Sequence, residues 1–460
     1  MKTLIQNGTV VTSQKKFDAD LLVEDGKIAA IGTNLPKEGC ETFDAAGCLL
    51  FPGFIDAHTH LDMDTGTALT ADDFYSGTRA AIAGGTTMLL DFATQDKGKT
   101  LSGALKIWHG KADGKSSCDY GFHMAIVDWN PAVSAEIDEM VKEGVTSFKL
   151  YLAYDNLRVS DGELYEILKR VGQVHGIIGV HCENGDLVNR MVAENRAAGN
   201  LTPNYHPLSR PDFVEAEAVA RYCYIAQAAG VPINIVHLST KAGLEEVRRA
   251  RARGQKVYIE SCPQYFTLDD SLYSLPGFES AKYVCSPPLR KKADQAALWG
   301  ALEAGEIDTI STDHCSFNWK GQKELGKEDF SKIPNGLPGI EHRPVLMYTH
   351  GVMTGKMTVE QMAKLLSENT ARLFGLYPQK GVLAVGSDAD IVVWDPLFQS
   401  SIHAETQYQN VDYTPYEGQK TVGRTKAVFL RGTQVVCDGR VVCENSGIYV
   451  SRAQSEYYGR

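Results

Sequence analysis

From residue 53 to residue 312 the chain repeats one unit, a short apolar run followed by a helical stretch, and this alternation narrows the possible folds more than any other feature. Eight strand candidates can be counted: "GFIDAH" (53–58), "TTMLLD" (86–91), "GFHMAIV" (121–127), "TSFKLY" (146–151), "IIGVHC" (177–182), "INIVHL" (233–238), "KVYIES" (256–261) and "IDTIST" (307–312). Helical patterns such as "AVSAEIDEMVKEG", "DGELYEILKRVGQ" and "KAGLEEVRRARARG" fill the gaps. Eight parallel strands with helices between them predict a (β/α)8 TIM-like barrel, whose active site opens at the C-terminal ends of the strands. A doubly wound sheet is the alternative. It lacks support because no Gly-rich dinucleotide fingerprint follows the first strand, and "AIAGGTT" is too short and wrongly spaced for one.

The two ends read differently. "TLIQNGTVVT" and "DLLVEDGKIAAIG" near the start, and "GSDADIVVWDP" and "KAVFLRGTQVVCDGRVV" near the end, alternate in short runs with glycine-bearing turns between them. Either end alone would bury little, so both are expected in one unit. The division predicted is a β-sandwich domain from 1–52 plus 381–451, a barrel over 53–380, and a polar, aromatic tail over 452–460. That tail is expected to contact a neighbouring subunit or to lie disordered.

At 460 residues, 43% hydrophobic and 22% charged, the chain has ample material for a large core and no sign of disorder. A net charge of −11 argues against a nucleic-acid partner. No stretch approaches the roughly twenty apolar residues of a membrane span, and "MKTLIQNGTVVTS" lacks the apolar core and cleavage site of a secretory leader, so a cytoplasmic protein is expected. Ten cysteines without CxxC or framework spacing fit reduced thiols. Cys182 and Cys315 lie near candidate site residues but read as core thiols.

The chemistry is carried by polar residues at strand ends. His58 and His60 in "FIDAHTH" are two apart and point to one face. His181 ends "IIGVH", His237 ends "INIVH" and Asp313 follows "IDTIST", so four histidines and an aspartate converge on one barrel mouth. Neutral imidazoles and a carboxylate favour zinc or a related divalent ion. Lys149 shares an inward face with Ser147 and Tyr151, while Phe148, Leu150 and Leu152 face the helices. A protonated amine beside divalent ions would repel them. A lysine that has added carbon dioxide becomes a carbamate, an anionic ligand with two oxygens that can bridge a metal pair.

These motifs carry a resemblance. "PGFIDAHTHLD", "GTRAAIAGGTT", "FKLYLAY", "GVHCEN", "NIVHLS", "ESCPQY", "CSPPLR", "STDHC" and "PNGLPGIEHR", in that order, with "GSDADIVVWDP" in the β unit, resemble the cyclic amidohydrolases, most closely the hydantoinase and dihydropyrimidinase branch. The resemblance implies two ions, most simply Zn2+: the more buried held by His58, His60 and Asp313, the more exposed by His181 and His237, with carbamylated Lys149 bridging. It implies that a water activated between the ions opens a ring amide while Asp313 carries its proton to the leaving nitrogen. Tyr154 takes the place of an oxyanion donor. Ser286 and Asn335 match positions whose backbone groups bind the ring in relatives. The implied reaction opens 5-substituted hydantoins, 5,6-dihydropyrimidines or both to N-carbamoyl amino acids, in an enzyme commonly assembled as a homotetramer, with a dimer as the alternative.

Two departures concern the mouth. Asp64 stands where many relatives have proline, and Arg158 where hydantoinases often have an aromatic residue; Arg158 either favours a polar or acidic substituent or is simply solvated. Arg290 and Arg343 read as structural ion-pair partners, and His314 as a partner of the site or a packing residue. Among rivals, dihydroorotase lacks its substrate-binding arginine here, because "HTHLDMD" supplies acids instead. Allantoinase stays open, and a metal-free oligomeric scaffold of the same fold is disfavoured because all six ligand positions are filled.

Overall fold

The computed structural model describes residues 2–458. The predicted (β/α)8 barrel is present, with strands β1 (Phe54–Thr59), β2 (Thr86–Thr94), β3 (Asp119–Ala125), β4 (Ser147–Tyr151), β5 (Ile177–His181), β6 (Ile233–Ile235), β7 (Val257–Ser261) and β8 (Thr309–Ile310). Each strand pairs in parallel with the next, in chain order. Nearly every residue of these strands is buried, as expected where one face meets helices and the other fills the barrel. The helices begin where their caps allow. Ser160 and Glu163 form a capping box ahead of Asp161–Gln173, and Asn130 caps Pro131–Lys142, which carries proline at its first position.

β6 and β8 are shorter than the runs read from the sequence. At His237 (φ 40°) and Asp313 (φ 54°) the backbone turns into the left-handed region, which takes the chain out of the ladder and aims both side chains inward.

The barrel closes through side chains. Between β1 and the segment after β8 there is one bridge, Thr59 to His314, with the His60 N–H donating to the His314 carbonyl at 2.8 Å. Asp56 accepts from the Thr312 N–H at 3.1 Å and from its hydroxyl at 2.7 Å. Arg343, fully buried, donates to the carbonyls of Ile55 at 2.7 Å and Ile310 at 2.8 Å, and to the Thr86 hydroxyl at 3.0 Å. The ion-pair role expected of Arg343 is therefore seen with Asp56, at 3.8 Å.

The terminal segments build a nine-stranded mixed sheet in which Leu49–Pro52 lies between Lys2–Val11 and Ile391–Ser401. Its own core includes Ile5, Leu21, Leu50, Ile391 and Phe429. Lys380 ties sheet to barrel: its buried ammonium meets Asp119 of β3 at 2.5 Å, Asp390 at 2.7 Å and Asp388 at 3.0 Å. The tail folds back beneath its own barrel. The Val450 N–H donates to Tyr120, Arg452 to Gly144 and Ala453 to Gly375, and Arg452 reaches the Ser147 hydroxyl at 2.8 Å. Residue 375 has to be glycine, because a Cβ there would lie 1.8 Å from the Ala453 carbonyl oxygen. The last two residues of the predicted tail lie outside the described residues. No helix among the described residues is long and apolar enough to cross a membrane.

Replacing Asp56 with alanine strips the carboxylate 3.8 Å from the buried Arg343 guanidinium and opens the seam. The expected cost is about 3–5 kcal/mol, read as an earlier transition in denaturant unfolding than wild type.

Candidate functional site

At the C-terminal mouth of the barrel a cavity of about 910 Å³ is lined by every site residue read from the sequence. His58 and His60 come from the end of β1, Lys149 from the middle of β4, His181 from the last position of β5, and His237 and Asp313 from the turns after β6 and β8. Tyr154, Ser286 and Asn335 come from loops above them.

Asp313 Oδ1 lies 3.1 Å from His58 Nε2 and 3.2 Å from His60 Nε2. Across the cavity floor His181 Nδ1 and His237 Nε2 face each other at 3.1 Å. Lys149 sits among them, 1% exposed, with Nζ 3.4 Å from His58 Nε2 and above the Phe92 ring. Burial pulls its amine down to about 8, against the pull of the Asp313 and Glu260 carboxylates. Burial likewise lowers His60, His181 and His237, so these imidazoles are held in the neutral form that offers a lone pair. Burial opposes the charge on Asp313, but His58, His60 and His237 outweigh it and keep the carboxyl well below its usual range.

The donor set fits divalent ions. His58, His60 and Asp313 offer one atom each within 4.8 Å of one another. His60 Nδ1 and His237 Nδ1 are buried without a partner, while their Nε2 atoms turn toward the cluster. A second set of groups orients the first. His58 Nδ1 meets Glu260 at 2.6 Å and His181 Nε2 meets Glu183 at 2.7 Å, which leaves His58 Nε2 and His181 Nδ1 to face the centre. Arg210 bonds Glu183 at 2.6 Å and lies over the Tyr154 ring; with Glu183 so paired, its carboxyl falls to about 2 despite burial.

Glu260, Glu183 and Arg210 were missed by the sequence reading. A signal existed for two of them: Glu260 is an acid inside the strand "VYIES", as odd there as Lys149 is in its own strand, and Glu183 lies two residues after His181.

Tyr154 packs against His181 with ring centroids 5.3 Å apart and has φ 69°, so its loop leaves β4 through a left-handed residue. Burial raises its hydroxyl, which stays protonated and able to donate. Ser286 and Asn335 each keep their backbone N–H and C=O without a hydrogen-bond partner among the described residues; the Asn335 side-chain oxygen is buried and unpartnered too, while the Ser286 hydroxyl lies toward that of Tyr154.

Other residues lie apart from the chemistry. His314 turns away to Asp72 at 3.1 Å and accepts from the Gly339 N–H, a packing role. Arg290 bonds the Ser239 hydroxyl at 3.0 Å rather than a carboxylate. Cys182 is a buried thiol in the core, and Cys315 a buried thiol at the cavity wall. At the mouth, Asp64 accepts from the Gly66 N–H of its own turn at 2.8 Å while lining the cavity. Arg158 is turned outward to Asp186 at 2.7 Å and Asp155 at 3.0 Å, and Leu157 faces the cavity instead.

The sequence pattern of the amidohydrolase family matches residues 49–435. The D-hydantoinase of Geobacillus stearothermophilus is 46% identical over 457 residues, 99% of this chain and 97% of that protein. The D-hydantoinase of Streptomyces coelicolor is 43% identical over 463 residues, 99% of each chain. The crystal structure of dihydropyrimidinase from Brevibacillus agri NCHU1002 superposes with a TM-score of 0.98 at 44% identity, covering 99% of both chains. On the extent of these matches, the chain belongs to the amidohydrolase family, among its hydantoinase and dihydropyrimidinase relatives.

Proposed function

We propose that this protein is a binuclear-metal hydrolase that opens the cyclic amide bond of 5-substituted hydantoins, 5,6-dihydropyrimidines or both, giving N-carbamoyl amino acids. The observation that carries the reading is the convergence of four imidazoles and the Asp313 carboxylate around a buried lysine at the floor of a cavity of about 910 Å³. The names of the relatives, D-hydantoinase and dihydropyrimidinase, support the substrate class.

In this reading His58, His60 and Asp313 hold one ion and His181 and His237 the other, with Zn2+ the best match to the ligand types. Lys149, as its carbamate, would supply an anionic oxygen ligand to both. Burial favours that modification because the neutral amine is the form that adds carbon dioxide, releasing one proton, and the pull of burial to about 8 makes the neutral form accessible. When bound, the two ions supply a water nucleophile active at neutral pH and polarise the scissile carbonyl.

The chain does the rest. Asp313 accepts the proton of the attacking water and passes it to the ring nitrogen as the C–N bond breaks. Tyr154 donates its hydroxyl proton in a hydrogen bond to the carbonyl oxygen as charge develops there. Ser286 and Asn335 offer the free backbone donors and acceptors that match a cyclic amide or imide. The ring substituent leaves past Leu157 and Asp64, not past the outward Arg158. A reduced, cytoplasmic setting agrees with ten cysteines that are all unpaired, and assembly as a homotetramer, or a dimer, completes the proposal.

Three outcomes test it. Purified protein carrying about two ions per chain should hydrolyse dihydrouracil or 5-phenylhydantoin, lose that activity on chelation and regain it with Zn2+. Hydrolysis of allantoin alone would make it an allantoinase, and a metal-free, inactive protein would make it a scaffold. Lys149→Ala should lower the bound metal measured by elemental analysis; unchanged stoichiometry would refute the bridging role. Tyr154→Phe should reduce kcat by about 10²–10³ with metal content unchanged.

A further inference from the structure

Lys323 is fully buried, lies outside the metal centre and bonds no carboxylate. It begins the short turn Lys323–Gly326 and sends its side chain beneath the two loops that carry Ser286 and Asn335. Its Nζ donates to three backbone carbonyls: Val284 at 2.8 Å, Pro334 at 2.7 Å and Gly336 at 2.8 Å. Three acceptors match the three N–H bonds of an ammonium, whereas a neutral amine would fail one of them. Burial works against the charge and pulls the amine down to about 7; three carbonyl acceptors at hydrogen-bond distance favour the charged form.

The acceptors are placed where they orient Asn335. The Pro334 carbonyl belongs to the peptide whose N–H is that of Asn335, and in a trans peptide these two groups point in opposite directions. With the carbonyl drawn to Lys323, the Asn335 N–H is turned away from it. The next peptide is fixed likewise, since its Gly336 N–H donates to the Val284 carbonyl at 3.1 Å and the Asn335 carbonyl must point the other way. Both backbone groups of Asn335 are thus aimed from the lysine toward the opposite side, where the residue lines the cavity and neither group has a protein partner. The Gly336 backbone is pressed against the strand-end loop so closely that a Cβ would lie 2.3 Å from the Cys315 carbonyl oxygen, so the loop cannot relax in that direction.

We infer that Lys323 is a positioning residue for substrate: a buried ammonium that ties residues 284, 334 and 336 into one rigid unit and presents the donor and acceptor of Asn335, beside Ser286, to the ring amide. The inference rests on the proposed cyclic-amide substrate, but its structural half stands apart from that.

Lys323→Met keeps the length and removes the donors. Two measurements on the metal-loaded enzyme read the result. Hydrogen exchange without substrate should become at least about tenfold faster in residues 284–289 and 334–337 and stay unchanged in the barrel strands. KM for dihydrouracil and 5-phenylhydantoin should rise about tenfold or more with kcat and metal content little changed, the signature of lost binding common to ground and transition states. Lys323→Gln, which retains two donors, should fall between wild type and the methionine variant on both. Unaltered loop exchange, loosened loops with unaltered KM, uniformly faster exchange across the chain, or failure of both variants to fold would each overturn the assignment. A wild-type enzyme that opens neither ring while the loops still loosen in the variant would instead overturn the proposed substrate class.

Discussion

The seam between β1 and β8 is the constraint on which the rest of the site depends. Seven of the eight strand junctions are made by parallel ladders, but the eighth rests on one bridge and the side chains of Asp56, Thr312 and Arg343. His58 and His60 stand on one side of that seam and Asp313 on the other, so the distances of 3.1 and 3.2 Å between them hold only while it is closed. A ladder carried through to Asp313 would keep the residue in extended backbone. Ending β8 at Ile310 frees the chain to adopt φ 54° at Asp313 and to turn its carboxylate onto both imidazoles. The strength of side-chain closure lies in its burial: Arg343 and Asp56 are both shielded from water, where hydrogen bonds to charged groups count for more than at the surface.

Around the centre, the buried carboxylates are held by imidazoles or by a guanidinium. Glu260 and Glu183 each hold a histidine by one ring nitrogen, and Arg210 compensates Glu183 while packing on Tyr154. The consequence is that the proposed oxyanion donor and one proposed metal ligand share a single buried support. His60 and His237 lack such partners on their outer nitrogens. Their rings are fixed by packing instead: His60 stacks on Phe92 with centroids 5.0 Å apart, and His237 lies between His58 and His181.

Much of this was legible in the sequence because it is written at short range. The strand-helix alternation gave the barrel, period-two alternation turned Lys149 inward, and His58, His60, His181, His237 and Asp313 fell at strand ends, where all of them line one cavity. What escaped depends on contacts distant in the chain. Glu260 reaches His58 across 202 positions and Asp56 reaches Thr312 across 256, and no local pattern encodes such a pairing. Arg158 shows the converse limit: a charge in a mouth loop reads as a specificity element, yet two nearby carboxylates, Asp155 and Asp186, turn it to solvent. Of the two expectations for the tail, disorder fails over its described residues for a similar reason. A polar, aromatic terminus reads as loose, but Arg452 finds the Ser147 hydroxyl and the Phe374 carbonyl inside the barrel floor, and Val450 is buried against Tyr120.

Two fully buried lysines show how surroundings, rather than burial, decide what an amine does. Burial pulls both down, Lys149 to about 8 and Lys323 to about 7, so desolvation alone makes neither distinct. Around Lys323 stand three carbonyl oxygens at hydrogen-bond distance, which satisfy an ammonium completely. Around Lys149 the amine makes one hydrogen-bond contact among the described residues, with His58 Nε2 at 3.4 Å, with the faces of Phe92 and Tyr151 nearby and an open cavity beyond. An amine so placed has the Asp313 and Glu260 carboxylates pulling for its charge but one hydrogen-bond contact to satisfy it, and it has space on the cavity side. It is suited to become something other than an ammonium, whereas Lys323 is suited to remain one. The same residue type, equally hidden from water, is thereby fitted to reactivity in one place and to rigidity in the other, and the difference lies in the number of acceptors within reach of each nitrogen.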